Sequence, residues 1–166
     1  MSRNHPRLVI DTCIWVDSYC PSHVGCEPAR ELIERARAKG ATLLYPVHCI
    51  KDVQYVLMHE FRRIARQEQG GVDEATGAAI REGVLACLRN MADLAHAIGG
   101  DASDVWLALK YLNVHPDLED NLVLSACRRG NANFLVTSDR KLIEAADIAA
   151  KTPQQMLAIL ELDERS

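Results

Sequence analysis

No apolar run in this 166-residue chain approaches the roughly 20 residues that a membrane-crossing helix needs. The six cysteines contain no Cys-x-x-Cys pair, and neither His-Glu-x-x-His nor Gly-x-Ser-x-Gly occurs, so a zinc finger, a zincin site and a nucleophilic serine all lack their starting motif. The nine glycines are scattered, which leaves no glycine-rich phosphate loop. Basic excess is missing as well. A net charge of −4 and a pI near 5.8 exclude a protein that coats nucleic acid by bulk charge. They do not exclude a nuclease that holds metal with acids and needs only local Lys or Arg. There is no internal repeat and no low-complexity tract. Residues Met1 to Arg7 lack the apolar core of a secretory signal, because the run Leu8-Val9-Ile10 is broken at once by Asp11. The expectation is a cytoplasmic protein.

What is present suits one domain over residues 1–166, with 48% hydrophobic residues and enough chain to bury a core without staples. Cys13, Cys49, Cys87 and Cys127 fall in apolar or helical contexts and read as reduced core thiols. Cys20, His23 and Cys26 cluster in one loop and offer an alternative, a structural zinc site, although the spacing fits no usual finger and no fourth ligand is evident.

The punctuation along the chain is α/β. Arg7 to Asp11 reads as a strand, followed by a Cys/Pro/Gly loop, a helix from Pro28 to Lys39 stopped by Gly40, and a short strand Thr42 to Tyr45 closed by Pro46. From His48 to about Gln69, Ile50, Val53, Leu57, Phe61 and Ile64 make an apolar stripe at helical period. After Gly70-Gly71 a second long helix runs from an Asp73 cap to near His96, giving an antiparallel helical hairpin. Leu94 to Ile98 reads equally as the end of that helix or as a third strand. Helices follow at Asp104 to Leu112 and Asn121 to Arg129, then a strand Phe134 to Thr137 and a helical or turn segment over 139–147. A weak strand at 148–151 comes next, then a last helix announced by Thr152, Pro153 and Gln155. Strands alternating with helices predict a parallel sheet.

Four acids stand where such a fold brings residues together. Asp11 ends the first strand, Asp139 follows Phe134-Leu135-Val136-Thr137, Asp52 lies in the first turn or two of the hairpin, and Asp120 opens a later helix. Ligands of open α/β sheets bind beyond the carboxyl ends of the strands, where these positions converge. Carboxylates crowded without counter-charge repel, and a hard divalent cation removes the conflict, so the set predicts Mg²⁺ or Mn²⁺. Each acid also has a purely structural use, as a turn residue, a helix cap or part of a solvated face. Asp117, Glu119 and Asp120 together carry more negative charge than capping requires. Thr137 and Ser138 offer hydroxyls beside Asp139 that orient the acid or cap the next helix. An aspartyl-nucleophile phosphatase would need a second Asp where Cys13 stands. Candidate phosphate contacts are Arg62, Arg63, Arg66, Arg128, Arg129, Arg140 and Lys141.

In order, Val9-Ile10-Asp11-Thr12, Asp117-Leu118-Glu119-Asp120-Asn121, Ala132-Asn133-Phe134-Leu135-Val136-Thr137-Ser138-Asp139 and Thr152-Pro153-Gln154-Gln155-Met156-Leu157 resemble the PIN domain, the metal-dependent ribonuclease fold of VapC-type toxins. The resemblance spans almost the whole chain. It implies a three-layer α/β/α fold with a short, mainly parallel sheet, RNA as substrate, a cognate antitoxin as partner and a possible homodimer. It places Asp11, Asp120 and Asp139 on the metal-binding acids and Asp52 on the helix acid, with Thr12, Asp117, Thr137 and Ser138 in support. Two departures stand out. Cys13 replaces the family's frequent Asn, which predicts a missing polar contact. Asp52 is one methylene shorter than the usual Glu, which makes Glu60 a fallback. A different class of function, a PIN-like module that binds a protein without chemistry, would work through the hairpin from His48 to about His96.

Overall fold

The computed structural model describes residues 5–162. Strands β1 (Arg7–Ile10), β2 (Thr42–Pro46), β3 (His96–Ile98), β4 (Phe134–Val136) and β5 (Ala150–Lys151) form one sheet in the order β3-β2-β1-β4-β5. Every pairing is parallel, with Val9 opposite Leu44 on one side and Leu135 on the other. The segment Leu94 to Ile98 divides: Leu94 ends α4, Ala95 caps it, and His96–Ile98 is strand β3, whose parallel partner is β2. Helices are α1 (Thr12–Tyr19), α2 (Cys26–Ala38), α3 (Cys49–Gln69), α4 (Glu74–Leu94), α5 (Ala102–Tyr111), α6 (Leu118–Arg129), α7 (Arg140–Ala145) and α8 (Pro153–Leu162).

Both faces of the sheet are covered, as a parallel sheet requires. Leu8 and Ile10 point into one core with Trp15 of α1, Leu32 of α2, Leu57 of α3, Met91 of α4 and Met156 of α8. Val9 points the other way, toward Leu124 of α6 and Leu142 of α7. The expected α/β/α sandwich is the fold found. The hairpin is present too, closed by Gly70 in the left-handed region at φ 76° and opened again by Asp73, whose carboxylate accepts the Thr76 N–H at 2.7 Å. Thr152 and Gln155 exchange bonds as a capping box at the start of α8.

Several boundaries differ from the sequence reading. The stretch after β1, read as loop, is α1. Its Ile14, Trp15, Val16 and Ser18 are all buried, so the helix shows no polar face from which a period could be read. Helix α2 starts at Cys26, which puts Pro28 third, still within the turn whose N–H groups need no partner. Helix α5 starts at Ala102, where Asp101 and Asp104 form a capping box, and α6 starts at Leu118, capped by Asp117. The large apolar side chains left in solvent gather on α5 and the turn after it, at Val105, Trp106, Leu109, Leu112 and Val114, more than on the hairpin.

Asp104 ties α5 to α6. Its carboxylate accepts from Arg129 Nε at 2.8 and 3.0 Å, from Ser125 Oγ at 3.0 Å and from the Asp101 N–H at 2.8 Å. Arg129 leads in holding its pKa down at about 2, against an ordinary 3.8. The stabilisation is complete above pH 3.8 and is lost as pH falls toward 2. Asp104→Asn is expected to cost about 2 kcal/mol at neutral pH. Thermal melts of parent and variant should converge across that acid window.

Candidate metal centre at the sheet's switch point

From β1 the chain adds β2 and β3 on one side and returns to add β4 and β5 on the other. Helices leaving the carboxyl ends of β1 and β4 therefore diverge and open a crevice. A cavity of about 740 Å³ lies there. Asp11, Asp52, Asp120 and Asp139 all line it, with Thr12 and Ser138, and two further acids join them, Asp17 and Glu119. Among the described residues, its wall holds no Lys or Arg.

Asp11 is the most constrained of the acids. Its backbone N–H continues the β1–β4 ladder by bonding Val136 O at 3.0 Å, and its side chain caps α1 by accepting the Thr12 N–H on Oδ1 at 2.7 Å. On Oδ2 it accepts the Thr137 hydroxyl at 2.7 Å and the Cys13 thiol at 3.4 Å. Burial raises its pKa; these three hydrogen bonds oppose that, and the charge of Asp139 adds to it. Thr137 is fully buried and also accepts the Asp139 N–H at 3.1 Å, so one hydroxyl sets the positions of two acids. Asp139 caps α7 through Oδ1, which accepts the Lys141 and Leu142 N–H groups at 2.8 and 3.2 Å.

Asp120 accepts from His115 Nε2 at 2.8 Å, and burial raises its pKa, with the charges of Asp117, Asp139 and Asp11 contributing. Asp11, Asp120 and Asp139 therefore lie in one another's field. Asp52, in the first turn of α3, pairs with Lys51 at 3.1 Å. Glu60, the fallback acid, does not line the cavity: it pairs with Arg63 at 2.7 Å and with His23 at 3.6 Å. Asp117 caps α6 through the Glu119 and Asp120 N–H groups at 2.9 and 3.2 Å.

The polar contact expected to be missing at position 13 is supplied. The Cys13 thiol bonds Asp11 and accepts the Ser138 N–H at 3.5 Å. Burial pushes Cys13 and Cys49 up to about 12, so both remain thiols near neutral pH. All six cysteines are unpaired. In the loop of Cys20, His23 and Cys26, the histidine is engaged by acids. His23 faces Asp17 at 2.7 Å and Glu60 on its other nitrogen, and burial raises Cys20 to about 11. Among the described residues, no group of three His, Cys, Asp or Glu side chains is close enough to hold an ion as it stands, so the acids surround the cavity without closing on one point.

Sequence reasoning missed His115, which sits in a loop where no period marks it, and His48, whose Nε2 is buried without a partner in the same wall. Burial lowers the His48 pKa and keeps the ring neutral.

The family model of the PIN domain matches residues 7–141. Among solved structures, the VapC20 toxin of Mycobacterium tuberculosis, a toxin that cleaves the sarcin-ricin loop, aligns at TM-score 0.59 and 11% identity, covering 86% of this chain and 97% of that one. VapBC2 of Rickettsia felis, solved with a DNA fragment from its promoter, aligns at 0.54 and 17%, covering 88% and 98%. A Pyrobaculum aerophilum protein aligns at 0.56 and 16%, covering 95% and 91%. No curated protein sequence matches. At such identities the solved structures speak for the fold.

Proposed function

The chain belongs to the PIN domain family, and from that membership we propose that it hydrolyses RNA phosphodiester bonds with Mg²⁺ or Mn²⁺, as the toxin of a toxin–antitoxin pair. One observation carries the reading: four acids from four separate segments line one cavity whose wall offers them no Lys or Arg. The likeness to a VapC toxin and to a VapBC complex supports RNA as substrate and an antitoxin as partner. Work on RNA puts the protein in the cytoplasm.

The residues fit a hard cation. The donors are carboxylate oxygens, and the thiols in the wall are held neutral. A carboxylate has about four acceptor sites, of which Asp11 uses three and leaves one free. Asp11, Asp120 and Asp139 would hold the ion after side-chain rotation. When bound it supplies an acidified water and offsets charge on the phosphate. Asp52 takes up the proton of the attacking water or joins a second ion. Thr137 and His115 keep Asp11 and Asp120 oriented, and Cys13 stands in for the family's polar residue.

The acids' failure to close on one point favours a second reading, a protein-binding module without chemistry. Calorimetric titration of chelator-stripped protein with Mn²⁺, beside an RNA cleavage assay, separates the two. Bound Mn²⁺ with metal-dependent cleavage is the expected result; no heat and no cleavage would leave the module. A pH signature accompanies binding. Because the folded pKa values of Asp11 and Asp120 are raised, ionising them costs the metal-free fold stability as pH rises above the ordinary 3.8. Mn²⁺ offsets that cost, so at a hundredfold excess over Kd its stabilisation of about 2.7 kcal/mol near pH 8 should fade toward pH 4 in thermal melts.

A further inference from the structure

The proposed ribonuclease site has much to repel a polyanion and little to attract one. Three of the seven candidate cations are engaged elsewhere: Arg63 with Glu60, Arg128 with Asp147, and Arg129 with Asp101 and Asp104. Lys51, beside the cavity, is bound to Asp52. Backbone contacts to cations normally dominate the affinity of nucleic-acid-binding proteins, so a wall without Lys or Arg leaves the bases as a second source of affinity.

The cavity wall offers a means. Alongside its acids it carries Val16, Tyr55, Val56 and Val123. Tyr55 follows Asp52 by three residues on α3 and so shares its face of the helix, while Val53 and Leu57 on the opposite face are fully buried. Tyr55 is 74% exposed and belongs to neither core. A bare aromatic ring at the rim of an acid cavity, with valine carbons beside it, is the surface on which a nucleobase stacks.

We infer that Tyr55 is the stacking platform for an unpaired base next to the scissile phosphate. This rests on the ribonuclease reading above. In a duplex both faces of each base are covered by neighbours, and no face is open to the ring. Stacking is indifferent to base identity, so Tyr55 selects for lack of pairing rather than for sequence. Tyr55 acts in binding, and the acids act in the bond-breaking step.

Two measurements test this. The first is Mn²⁺-dependent cleavage of a short random-sequence RNA pool. Tyr55→Ala should raise KM about ten- to hundredfold with little change in kcat, and Tyr55→Phe should restore the parent value. The second is fluorescence of oligoadenosine carrying 2-aminopurine, alone or annealed to oligouridine. The parent and Tyr55→Phe should quench the single strand, Tyr55→Ala should not, and the duplex should stay bright. A parental KM in Tyr55→Ala, a loss confined to kcat, or equal quenching of the duplex would overturn the inference while leaving the ribonuclease reading intact. A parent that cleaves no RNA in Mn²⁺ overturns that reading instead, and the quenching experiment then decides Tyr55 on its own.

Discussion

Asp11→Asn is expected to lower metal-dependent RNA cleavage by about 10³-fold or more while the protein stays folded. The activity loss follows from charge: a metal centre contributes several kcal/mol of transition-state stabilisation, and each 1.36 kcal/mol is tenfold in rate. Retention of the fold follows from the hydrogen bonds. Asn caps a helix as well as Asp, and its Oδ1 still accepts the Thr12 N–H at the start of α1. The substitution also removes a charge that burial and Asp139 disfavour, which offsets the loss of the Thr137 and Cys13 hydrogen bonds to Oδ2, so the metal-free variant should melt close to the metal-free parent at pH 8. Glu60→Gln is the companion control, since Glu60 is held by Arg63 and His23 outside the cavity wall and its loss should leave cleavage unchanged. Cleavage by Asp11→Asn with the parent's Mn²⁺ response would reject the assignment.

How far the acids could be read from sequence depended on what held each one in place. Asp11 and Asp139 were legible because a short apolar run stops at a strand end, and strand ends point to the ligand side of a parallel sheet. Asp120 was legible from excess charge, though its helix begins three residues before Asn121, because Asp117 does the capping. The choice between Asp52 and Glu60 was not legible. Both lie on α3, and what separates them is a loop residue, His23, that binds one and not the other. The α1 helix was hidden for the opposite reason: buried on nearly every side, it has no polar stripe to betray its period. Cys13 was misjudged as the loss of a polar contact, because a thiol counts as apolar until a carboxylate is placed beside it. His115 reaches Asp120 across a five-residue turn outside any periodic element, and the buried end of His48 is set by packing around the cavity, so neither is marked by a hydrophobic period.

Thr137 provides the sharpest test of whether the fold and the site are one construction. Its hydroxyl is fully buried, donates to Asp11 Oδ2 and accepts the Asp139 N–H. Thr137→Val keeps shape and strand preference but leaves the Asp139 amide without its partner and Asp11 Oδ2 with only the weak Cys13 thiol. At 1–3 kcal/mol for each buried group left unsatisfied, the expected loss of stability is on the order of 3 kcal/mol, read by denaturant unfolding. Activity should fall by about ten- to hundredfold, as for other groups that orient metal ligands. The pH profile carries the distinguishing mark. Thr137 is the largest of the effects that hold the Asp11 pKa down against burial. Without it the pKa climbs further, and the acid limb of the cleavage profile should move to higher pH, because more base is needed to ionise Asp11. Thr137→Ser, which keeps the hydroxyl, should leave that limb in place despite the missing methyl. A Thr137→Val protein that is less stable yet shows the parent's acid limb would mean that Thr137 supports the sheet edge alone and does not set the state of Asp11.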